Sequence, residues 1–248
     1  MPEPSVLFQD SYLLVINKPS GLVVNRAESV KEKTLQDWME EKYPKIFDLK
    51  NIKALTKNKD NISEEEIVFL NRSGLVHRLD KDTSGLMVLA KNSKTLFNLQ
   101  SQFKQRKVIK KYYCLVHGKV EPKVGDIRLP LGRKPQDSRK FTVRLAGRKA
   151  VTEYKVLKYL SWENENFSFV EVNLKTGRTH QIRVHFKYLS HPLVGDKIYL
   201  SKKRYKKDLL WCPRLFLHSF FLSFSHPDSL KKLEFKTDLP ADLEKIVE

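Results

Sequence analysis

In the stretch HRLDKDTSGLMVLA, residues 77–90, a dense run of polar residues leads directly into an apolar run. Leu86–Ala90 is short and apolar, as expected for a buried strand. In an extended segment, Arg78 and Asp80 leave from one face, while Leu79 points the opposite way into the core. Functional groups gather in loops at strand ends. The stretch therefore predicts a core strand whose preceding loop presents an acid and a guanidinium together.

Strands and helices are predicted on both sides of this segment. Two short strands, Ser5–Phe8 and Tyr12–Asn17, predict a hairpin, Thr34–Glu41 predicts a short helix, and Ser93 can cap a helix that ends near Lys104. Further strand-like runs lie at Tyr112–Val116, Thr152–Tyr159, Phe167–Leu174, Gln181–Phe186 and Leu215–Phe224. Helices placed among many mainly antiparallel strands favour an α+β fold over a regular alternation.

The chain reads as one domain over residues 1–248. It contains no repeat of solenoid length and no linker that would isolate a second domain. Residues 26–73 are predicted to form a surface excursion, since the Lys/Asn/Asp-rich part around Lys57–Asn61 lacks apolar periodicity.

Charge is the strongest compositional signal. Forty-seven Lys and Arg against 29 Asp and Glu leave a net charge of +18, which attracts RNA, DNA or acidic membrane surfaces. Basic clusters lie at Lys104–Lys111, Arg133–Lys149 and Lys202–Lys207, the last with Tyr205 in its middle. A solvated face explains any one cluster, but several clusters around aromatic residues favour a track for a polyanion.

The sequence predicts a cytoplasmic protein without a metal site. The N-terminal stretch lacks a basic start followed by a long apolar run, and no later segment approaches the length of a membrane span. Cys114 and Cys212 are far apart and form no Cys-x-x-Cys pair, so we expect both to be reduced and structural. The spacing of His180 and His185 misses that of helical zinc sites.

The polar run before Leu86 is the first candidate for chemistry. A carboxylate near an arginine keeps its charge, because the opposite charge favours ionisation, and this suits Asp80 as a nucleophile more than as a general acid. On spacing alone, a turn stabilised by Asp82, Thr83 and Ser84 explains the segment equally well.

Two other segments carry polar and aromatic side chains. In residues 176–186, strand alternation predicts a polar face with Gln181, Arg183 and His185, although Arg183 could also simply pair with a surface acid. In residues 110–118, Tyr112 and Tyr113 follow a basic turn, and aromatic rings beside cations can stack an unpaired base. Tyrosines at strand starts are, however, commonly core residues.

Taken together, these segments resemble the RluA family of pseudouridine synthases across nearly the whole chain. The resemblance runs from VLFQDSYLLVINKPSGLVV (6–24) to LFLHSFFLSFSHP (215–227). Between them, in family order, come HRLDKDTSGLMVLAK (77–91), KKYYCLVHG (110–118), GRKAVTEYKVL (147–157), LKTGRTHQIRVHF (174–186) and HPLVGDKIY (191–199). Several matches in order are far more specific than one. The resemblance implies a central, mainly antiparallel mixed sheet with a catalytic cleft and flanking helices.

The resemblance also implies roles for individual residues. Asp80 is then the catalytic aspartate, Arg183 the cation paired with it, and Arg78 the residue that helps to extrude the target nucleotide. Tyr112 packs against the base, because the family has tyrosine six residues before a glycine, here Gly118; Tyr113 is the competing assignment. We expect further substrate contacts from polar residues of the same segments, namely His77, Thr83, Arg178, His180 and Gln181.

The implied reaction detaches uracil from C1′ and rejoins it through C5, so no cofactor is expected. The expected partner is RNA, with ribosomal RNA favoured and transfer RNA second, and we expect a monomer with no RNA-binding module before Val6. Asn25 and Cys114 stand where the family often has His and Ala. An ionised Asp80 could attack C1′ or assist elimination across the sugar, and the residues leave both routes open.

Two other functions fit parts of the pattern. A non-enzymatic RNA-binding or ribosome-assembly protein could use the same basic surface. A hydrolase could use Asp80 and Asp82 as paired carboxylates for glycosidic-bond cleavage, although Lys81, Thr83 and Ser84 make Asp82 resemble a structural turn residue.

Overall fold

The computed structural model describes residues 3–48 and 63–248, and its fold is α+β, as predicted. The helices in these ranges are α1 (Leu35–Lys42), α2 (Glu64–Asn71), α3 (Ser93–Lys104), α4 (Gln181–Tyr188), α5 (Lys202–Asp208) and α6 (Ala241–Val247). The strands are β1 (Ser5–Gln9), β2 (Leu13–Lys18), β3 (Ser84–Ala90), β4 (Ile109–His117), β5 (Val124–Ile127), β6 (Leu131–Lys134), β7 (Asp137–Val143), β8 (Thr152–Trp162), β9 (Glu165–Leu174), β10 (Leu217–Ser225) and β11 (Lys232–Lys236).

Contacts divide the described chain into two compact units. The first comprises residues 3–48, 63–108 and 223–234, and the second comprises residues 109–222 and 235–248. The chain therefore passes from the second unit to the first within β10 and back again within β11. The expectation of one catalytic domain over residues 1–248 stays a prediction.

The first unit is built on β1, β2 and β3, which pair antiparallel in that order. The predicted N-terminal hairpin is confirmed, and all seven residues of β3 are buried. A left-handed glycine precedes the loop that leads into β3: Gly74 has φ +73°, and a Cβ there would lie 2.2 Å from the carbonyl oxygen of Ala90. Only glycine fits this close approach.

The two helices of the first unit that the sequence predicts begin with side-chain caps. Thr34 and Asp37 form a capping box at α1, and the side chain of Asn92, rather than Ser93, accepts the N–H of Thr95 at the start of α3. Helix α1 buries Leu35, Trp38 and Met39, so this part of the predicted surface excursion belongs to the core. The Lys57–Asn61 part lies outside the described residues.

The second unit contains an antiparallel sheet in the order β4, β9, β8, β5, with β10 next to β4. Strands β6 and β7 form a separate two-stranded hairpin. Buried Leu131, Ala150, Val184 and Tyr199 pack together beneath this hairpin, with Phe141 and Val143 from β7 against them. The hairpin is therefore seated on helix α4, to which Val184 belongs.

The prediction of a strand at Gln181–Phe186 was wrong, because these residues form the first part of α4. Alternating Ile182, Val184 and Phe186 suggested one buried and one polar face. In the structure all six residues are buried, and the polar side chains among them form hydrogen bonds with other parts of the protein. A helix that is buried on every side does not need a 3.6-residue apolar period, so the pattern could not distinguish it from a strand.

None of the described helices has the length and apolar character needed to cross a bilayer. Among the same residues, no three or more His, Cys, Asp or Glu side chains gather as they would around a metal ion. Cys114 and Cys212 are both buried and free, as predicted.

Candidate functional site

A buried lysine anchors the loop that carries Asp80. The side chain of Lys18 is fully buried, and its Nζ donates hydrogen bonds of 2.8, 2.9 and 3.0 Å to the carbonyl oxygens of Pro19, Leu22 and Lys81. The N–H of Gly21 bonds to the same Lys81 oxygen at 2.9 Å, and the Ser20 hydroxyl donates to the carbonyl of Asp82 at 2.8 Å. The turn after β2 thus holds the backbone on the C-terminal side of Asp80 in place.

The exposure of the loop residues alternates as the sequence predicts. Arg78 is exposed, Leu79 is buried and Asp80 is half-buried. The Arg78 side chain makes no hydrogen bond or ion pair with any described residue, so its guanidinium is open to solvent on the first unit. The N–H of Thr83 donates to the carbonyl of Asp80 at 3.1 Å and closes a turn. The loop therefore has both the predicted alternation of exposure and the structural turn.

Thr83 and His77, which are close to Asp80 in the sequence, differ in whether their polar atoms have hydrogen-bond partners in the protein. The Thr83 hydroxyl is buried and has no hydrogen-bond partner among the described residues, so Thr83 remains a candidate for substrate contact. The Nε2 of His77 accepts the N–H of Val88 at 3.1 Å, and its ring stacks on Phe103 at 4.6 Å between centroids. These contacts favour a structural role for His77 over the predicted substrate contact.

In the second unit, Arg183 is almost completely buried and fixed by a bidentate ion pair. Its Nε and Nη2 donate to the two carboxylate oxygens of Asp196 at 2.8 and 2.7 Å. One of these oxygens, Oδ1, also accepts the backbone N–H groups of Ile198 and Tyr199. Asp196 is fully buried. The guanidinium plane is thereby set by a carboxylate that is itself held by the backbone.

Tyr199 links the same arginine to the β6–β7 hairpin. Its ring lies 5.2 Å from the guanidinium carbon of Arg183, and Nδ1 of His180 lies 2.9 Å from its hydroxyl oxygen. The same hydroxyl accepts the N–H of Phe141, in β7, at 3.0 Å. The hairpin, His180 and Arg183 therefore share one buried tyrosine.

A chain of buried hydrogen bonds holds α4 against β8. The Nε2 of Gln181 donates to the hydroxyl of Thr152 at 2.9 Å, that hydroxyl lies 2.8 Å from Nδ1 of His185, and Nε2 of His185 lies 3.0 Å from the carbonyl oxygen of Leu129. The bonds run in one direction when His185 is neutral with its proton on Nε2. Burial lowers the pKa of His185, which favours this neutral form.

Gln181 uses the rest of its amide in the same region. Its Oε1 accepts the Thr176 hydroxyl and the N–H of Arg178, and its Nε2 also donates to the carbonyl of Val151. Because the side chain is buried and its polar atoms are bonded, the structure favours a supporting role for Gln181 over the predicted substrate contact. Arg178 is half-buried and donates through Nε to the carbonyl of Lys149 at 3.2 Å.

The two tyrosines of β4 lie on opposite faces of the sheet. Tyr112 pairs with Val172 of β9 and is buried. The Tyr113 ring is stacked on Phe220 with centroids 3.7 Å apart, and it also contacts Phe169. Tyr113 is thus engaged in an aromatic stack on its own face, and the choice of Tyr112 as the functional tyrosine stays a prediction.

One further cation lies beside the Thr176–Gln181 turn. The Nζ of Lys110 lies close to Gly177, where a Cβ would meet it at 3.6 Å. Burial lowers the pKa of Lys110 to about 8. A lysine with such a pKa is only partly protonated in mildly alkaline solution, so any charge that it offers to a substrate depends on pH.

Lys18, Asp196 and Tyr199 were not predicted as site residues. Asp196 and Tyr199 belong to HPLVGDKIY, which contributed to the resemblance, but Gly-Asp reads as an ordinary turn without knowledge of its partner. The structural signal is Gly195, whose φ of +70° and approach to the Arg214 carbonyl, 2.2 Å from a Cβ, admit no side chain. Lys18 precedes Pro19 in a turn, and nothing in that local sequence indicates that its side chain is buried against three carbonyl oxygens.

Each unit thus presents one half of the predicted chemistry. The first offers a half-buried carboxylate and an exposed guanidinium on an anchored loop, and the second offers a buried, oriented guanidinium and a buried tyrosine. A carboxylate, a fixed cation and an aromatic ring are the components of nucleophilic or eliminative chemistry at a sugar carbon. The pairing of Arg183 with Asp80 stays a prediction.

Residues 12–188 match the family model described as RNA pseudouridylate synthase. Two relatives called uncharacterized RNA pseudouridine synthases are similar over most of this chain: one from Synechocystis is 36% identical, with 98% of this chain and 67% of the relative covered, and one from Bacillus subtilis is 35% identical, with 98% and 71% covered. The Buchnera aphidicola ribosomal large subunit pseudouridine synthase D is 35% identical, with 98% and 72% covered.

Solved structures agree with the fold. Human RNA pseudouridylate synthase domain containing 4 has a TM-score of 0.68 and 25% identity, with 97% of this chain and 90% of that chain covered. Human RNA pseudouridylate synthase domain containing 1 has a TM-score of 0.70 at 24% identity, with 95% and 83% covered, a likeness of fold alone.

Proposed function

The chain belongs to the RNA pseudouridylate synthase family, a family of isomerases, and on that premise we propose that it converts specific uridines of structured RNA to pseudouridine through Asp80. The observation that carries this proposal is the loop before β3. A half-buried carboxylate stands there beside an exposed arginine, on a backbone anchored by buried Lys18. A catalytic group needs such fixed surroundings to act at a defined atom.

The reaction breaks the C1′–N1 glycosidic bond and forms a C1′–C5 bond, with one proton gained at N1 and one lost from C5. No oxidant, reductant or group donor enters this balance. Ionised Asp80 either attacks C1′ or assists elimination across the sugar, and both routes require its negative charge. In this proposal Arg183 is the cation that pairs with Asp80, and its bond to Asp196 fixes the direction of its guanidinium.

The target base must leave its stack before it can react. Extruding a nucleotide costs a few kcal/mol in paired RNA and less in a loop. The exposed Arg78 can occupy the space that the base leaves. Uridines in loops are the preferred targets, because their extrusion costs less. Tyr112 packs against the flipped uracil, and it either only stacks or also helps to remove the C5 proton.

Ribosomal RNA is the favoured substrate, and transfer RNA is the second candidate. The support is the likeness to the Buchnera large-subunit synthase, at 35% identity over 98% of this chain. The net charge of +18 supports a large polyanionic substrate of either kind. The RNA-binding protein without catalytic activity remains the alternative, and it predicts that function in cells survives replacement of Asp80.

The test is tritium release from unmodified ribosomal and transfer RNA transcripts labelled at uridine C5. The wild type is expected to release tritium from at least one RNA. Asp80→Ala and Asp80→Asn should lower the rate at least a thousandfold while RNA binding stays within about threefold, because both remove the charge that the chemistry needs. Residual turnover of Asp80→Asn near the wild-type rate would rule out the assignment.

Asp82→Asn is the matched control, because it removes a charge from the same loop. Asp82 is held by its backbone carbonyl, which the Ser20 hydroxyl bonds, so we expect turnover near wild type. The hydrolase alternative predicts the opposite: Asp82→Asn would be inactive, and free uracil would appear among the products.

A further inference from the structure

Helix α5 presents a stripe of lysines on one side. Lys202, Lys203 and Lys206 are all exposed, and at about 100° per residue they fall within roughly a third of the helix circumference. Arg204 and Asp208 project from the opposite side, where Asp208 is buried. The helix therefore has a cationic outer face and a fixed inner face.

This arrangement is unfavourable for the helix itself. Lys202 and Lys206 are four residues apart, and like charges at that spacing repel. Lys202 and Lys203 also stand in the first turn, where the helix dipole disfavours cations. A helix of seven residues has little intrinsic stability with which to offset these terms.

Contacts on the inner face hold the helix in place. The carboxylate of Asp208 accepts the N–H of Gly195 at 2.9 Å and lies 3.0 Å from Nε2 of buried His117. Arg204 donates to Nδ1 of the same histidine at 2.7 Å and to Glu165 at 3.0 Å. These bonds hold α5 in its helical conformation although the like charges on its outer face repel one another.

The inner cations are neutralised and the outer ones are not. Glu165 pairs with both Arg204 and Lys207, and Glu163 lies 3.6 Å from Lys207. No ion pair with Lys202, Lys203 or Lys206 occurs within the part of the chain that the structure describes. The positive charge of the stripe is thus left uncompensated by the protein.

We propose that the outer face of α5, formed by Lys202, Lys203 and Lys206, is a docking surface for the phosphate backbone of the substrate RNA. This inference rests on the proposed function and adds to it a contact outside the segments that carry the chemistry. A polyanion relieves the repulsion that the helix contacts enforce, and its binding releases counterions. The N–H of Gly195 bonds to Asp208 of α5, and the next residue, Asp196, orients Arg183. The same turn of the chain therefore supports both α5 and the arginine.

An exposed aromatic residue favours RNA over an acidic protein surface. Glu163, which lies near Lys207, follows Trp162, whose side chain is 39% exposed and whose ring contacts Trp211 at 5.2 Å. Trp162 therefore gives the unit that contains α5 an exposed indole, on which an unpaired base can stack.

The test is the triple variant Lys202→Gln, Lys203→Gln and Lys206→Gln, with binding measured on a ribosomal RNA transcript across a range of KCl concentrations. We expect affinity to fall about tenfold and the slope of log affinity against log salt to become shallower by about two. KM for the same RNA should rise by a similar factor with kcat unchanged, as for an interaction made equally in the ground and transition states.

The control is a dispersed triple, Lys94→Gln, Lys155→Gln and Lys231→Gln, which removes the same charge from exposed positions elsewhere. Equal losses of affinity in both triples would overturn the proposal, because only net charge would then matter. A lower melting temperature for the α5 triple would also overturn it, since the lysines would be structural. Affinity lost by the α5 triple alone, from a wild type that makes no pseudouridine, would support the surface and contradict the proposed function.

Discussion

The ion pair of Arg183 and Asp196 contributes to stability, and it also orients the guanidinium for which a catalytic role is proposed. Both side chains are buried and the bond is bidentate, so removing one partner leaves the other as a buried, unpaired charge. Such a loss costs about 3–5 kcal/mol, whereas replacing both partners by apolar residues of similar volume is often nearly neutral. A double substitution can therefore separate the contribution of this pair to stability from the catalytic role proposed for Arg183.

We predict that Arg183→Met and Asp196→Leu each lower the free energy of unfolding by about 3–5 kcal/mol and that the double variant recovers at least half of the loss. Turnover of tritium-labelled RNA should stay undetectable in the double variant, because the cation proposed to face Asp80 is gone. Urea denaturation and tritium release on the same preparations provide the two measurements. Additive losses of stability would mean that the pair is not coupled, and recovered turnover would exclude Arg183 from the chemistry.

The residue pattern predicted which side chains of the Arg78–Asp80 loop are exposed, but it did not predict the buried residues that orient Arg183. Arg78, Leu79 and Asp80 are adjacent, so an extended backbone is enough to assign their faces, and their exposures follow that assignment. Asp196 could not be paired with Arg183 in the same way, because the contact depends on how α4 and the turn at Gly195 pack together. A local pattern carries no information about that packing.

Helix α4 illustrates the corresponding difficulty at the level of elements. Its apolar residues alternate as in a strand, and its polar residues are satisfied inside the protein. The spacing of Gln181 and His185 is four residues, so both reach the single hydroxyl of Thr152 from one side of a helix. That helical signal lies in polar side chains, which a search for apolar periodicity leaves out. The hairpin, helix α1 and strands β3, β4, β8 and β9 were predicted correctly because each has a local pattern of its own.

The hydrogen-bond chain through His185 makes the packing of α4 against β8 sensitive to low pH. Burial lowers the pKa of His185 below its ordinary value of 6.5, so the unfolded state takes up a proton first as the pH falls. The stabilisation is complete above about pH 6.5 and is lost as the pH falls toward the folded-state pKa. Protonation also adds a donor at Nδ1, where the Thr152 hydroxyl now donates.

We predict a steeper fall in the free energy of unfolding between about pH 7 and pH 5 for the wild type than for His185→Gln, which cannot titrate. The variant should be less stable at neutral pH, because glutamine does not reproduce both ring contacts. Urea denaturation at several pH values gives the two slopes. Parallel slopes for the two proteins would contradict a role of His185 in the acid sensitivity.

On the scale of the whole molecule, the net charge of +18 acts on folding and on RNA binding in opposite directions. Repulsion among the cations destabilises the folded chain, and salt screens that repulsion over a Debye length of about 10 Å at 0.1 M. The same screening weakens the attraction for RNA. Added KCl should therefore stabilise the free protein while it releases bound RNA.

We predict that the melting temperature of the free protein rises between about 20 and 200 mM KCl. The rise should be smaller in the α5 triple than in the dispersed triple, although both lose three charges, because repulsion between exposed charges falls with distance and the α5 lysines are neighbours. At about 20 mM KCl the α5 triple should accordingly melt at or above the wild-type temperature. Thermal scans of the three proteins without RNA provide the comparison. If both triples reduce the salt dependence equally, the α5 lysines repel one another no more than average surface charges do, and the repulsion argued for that helix does not exist.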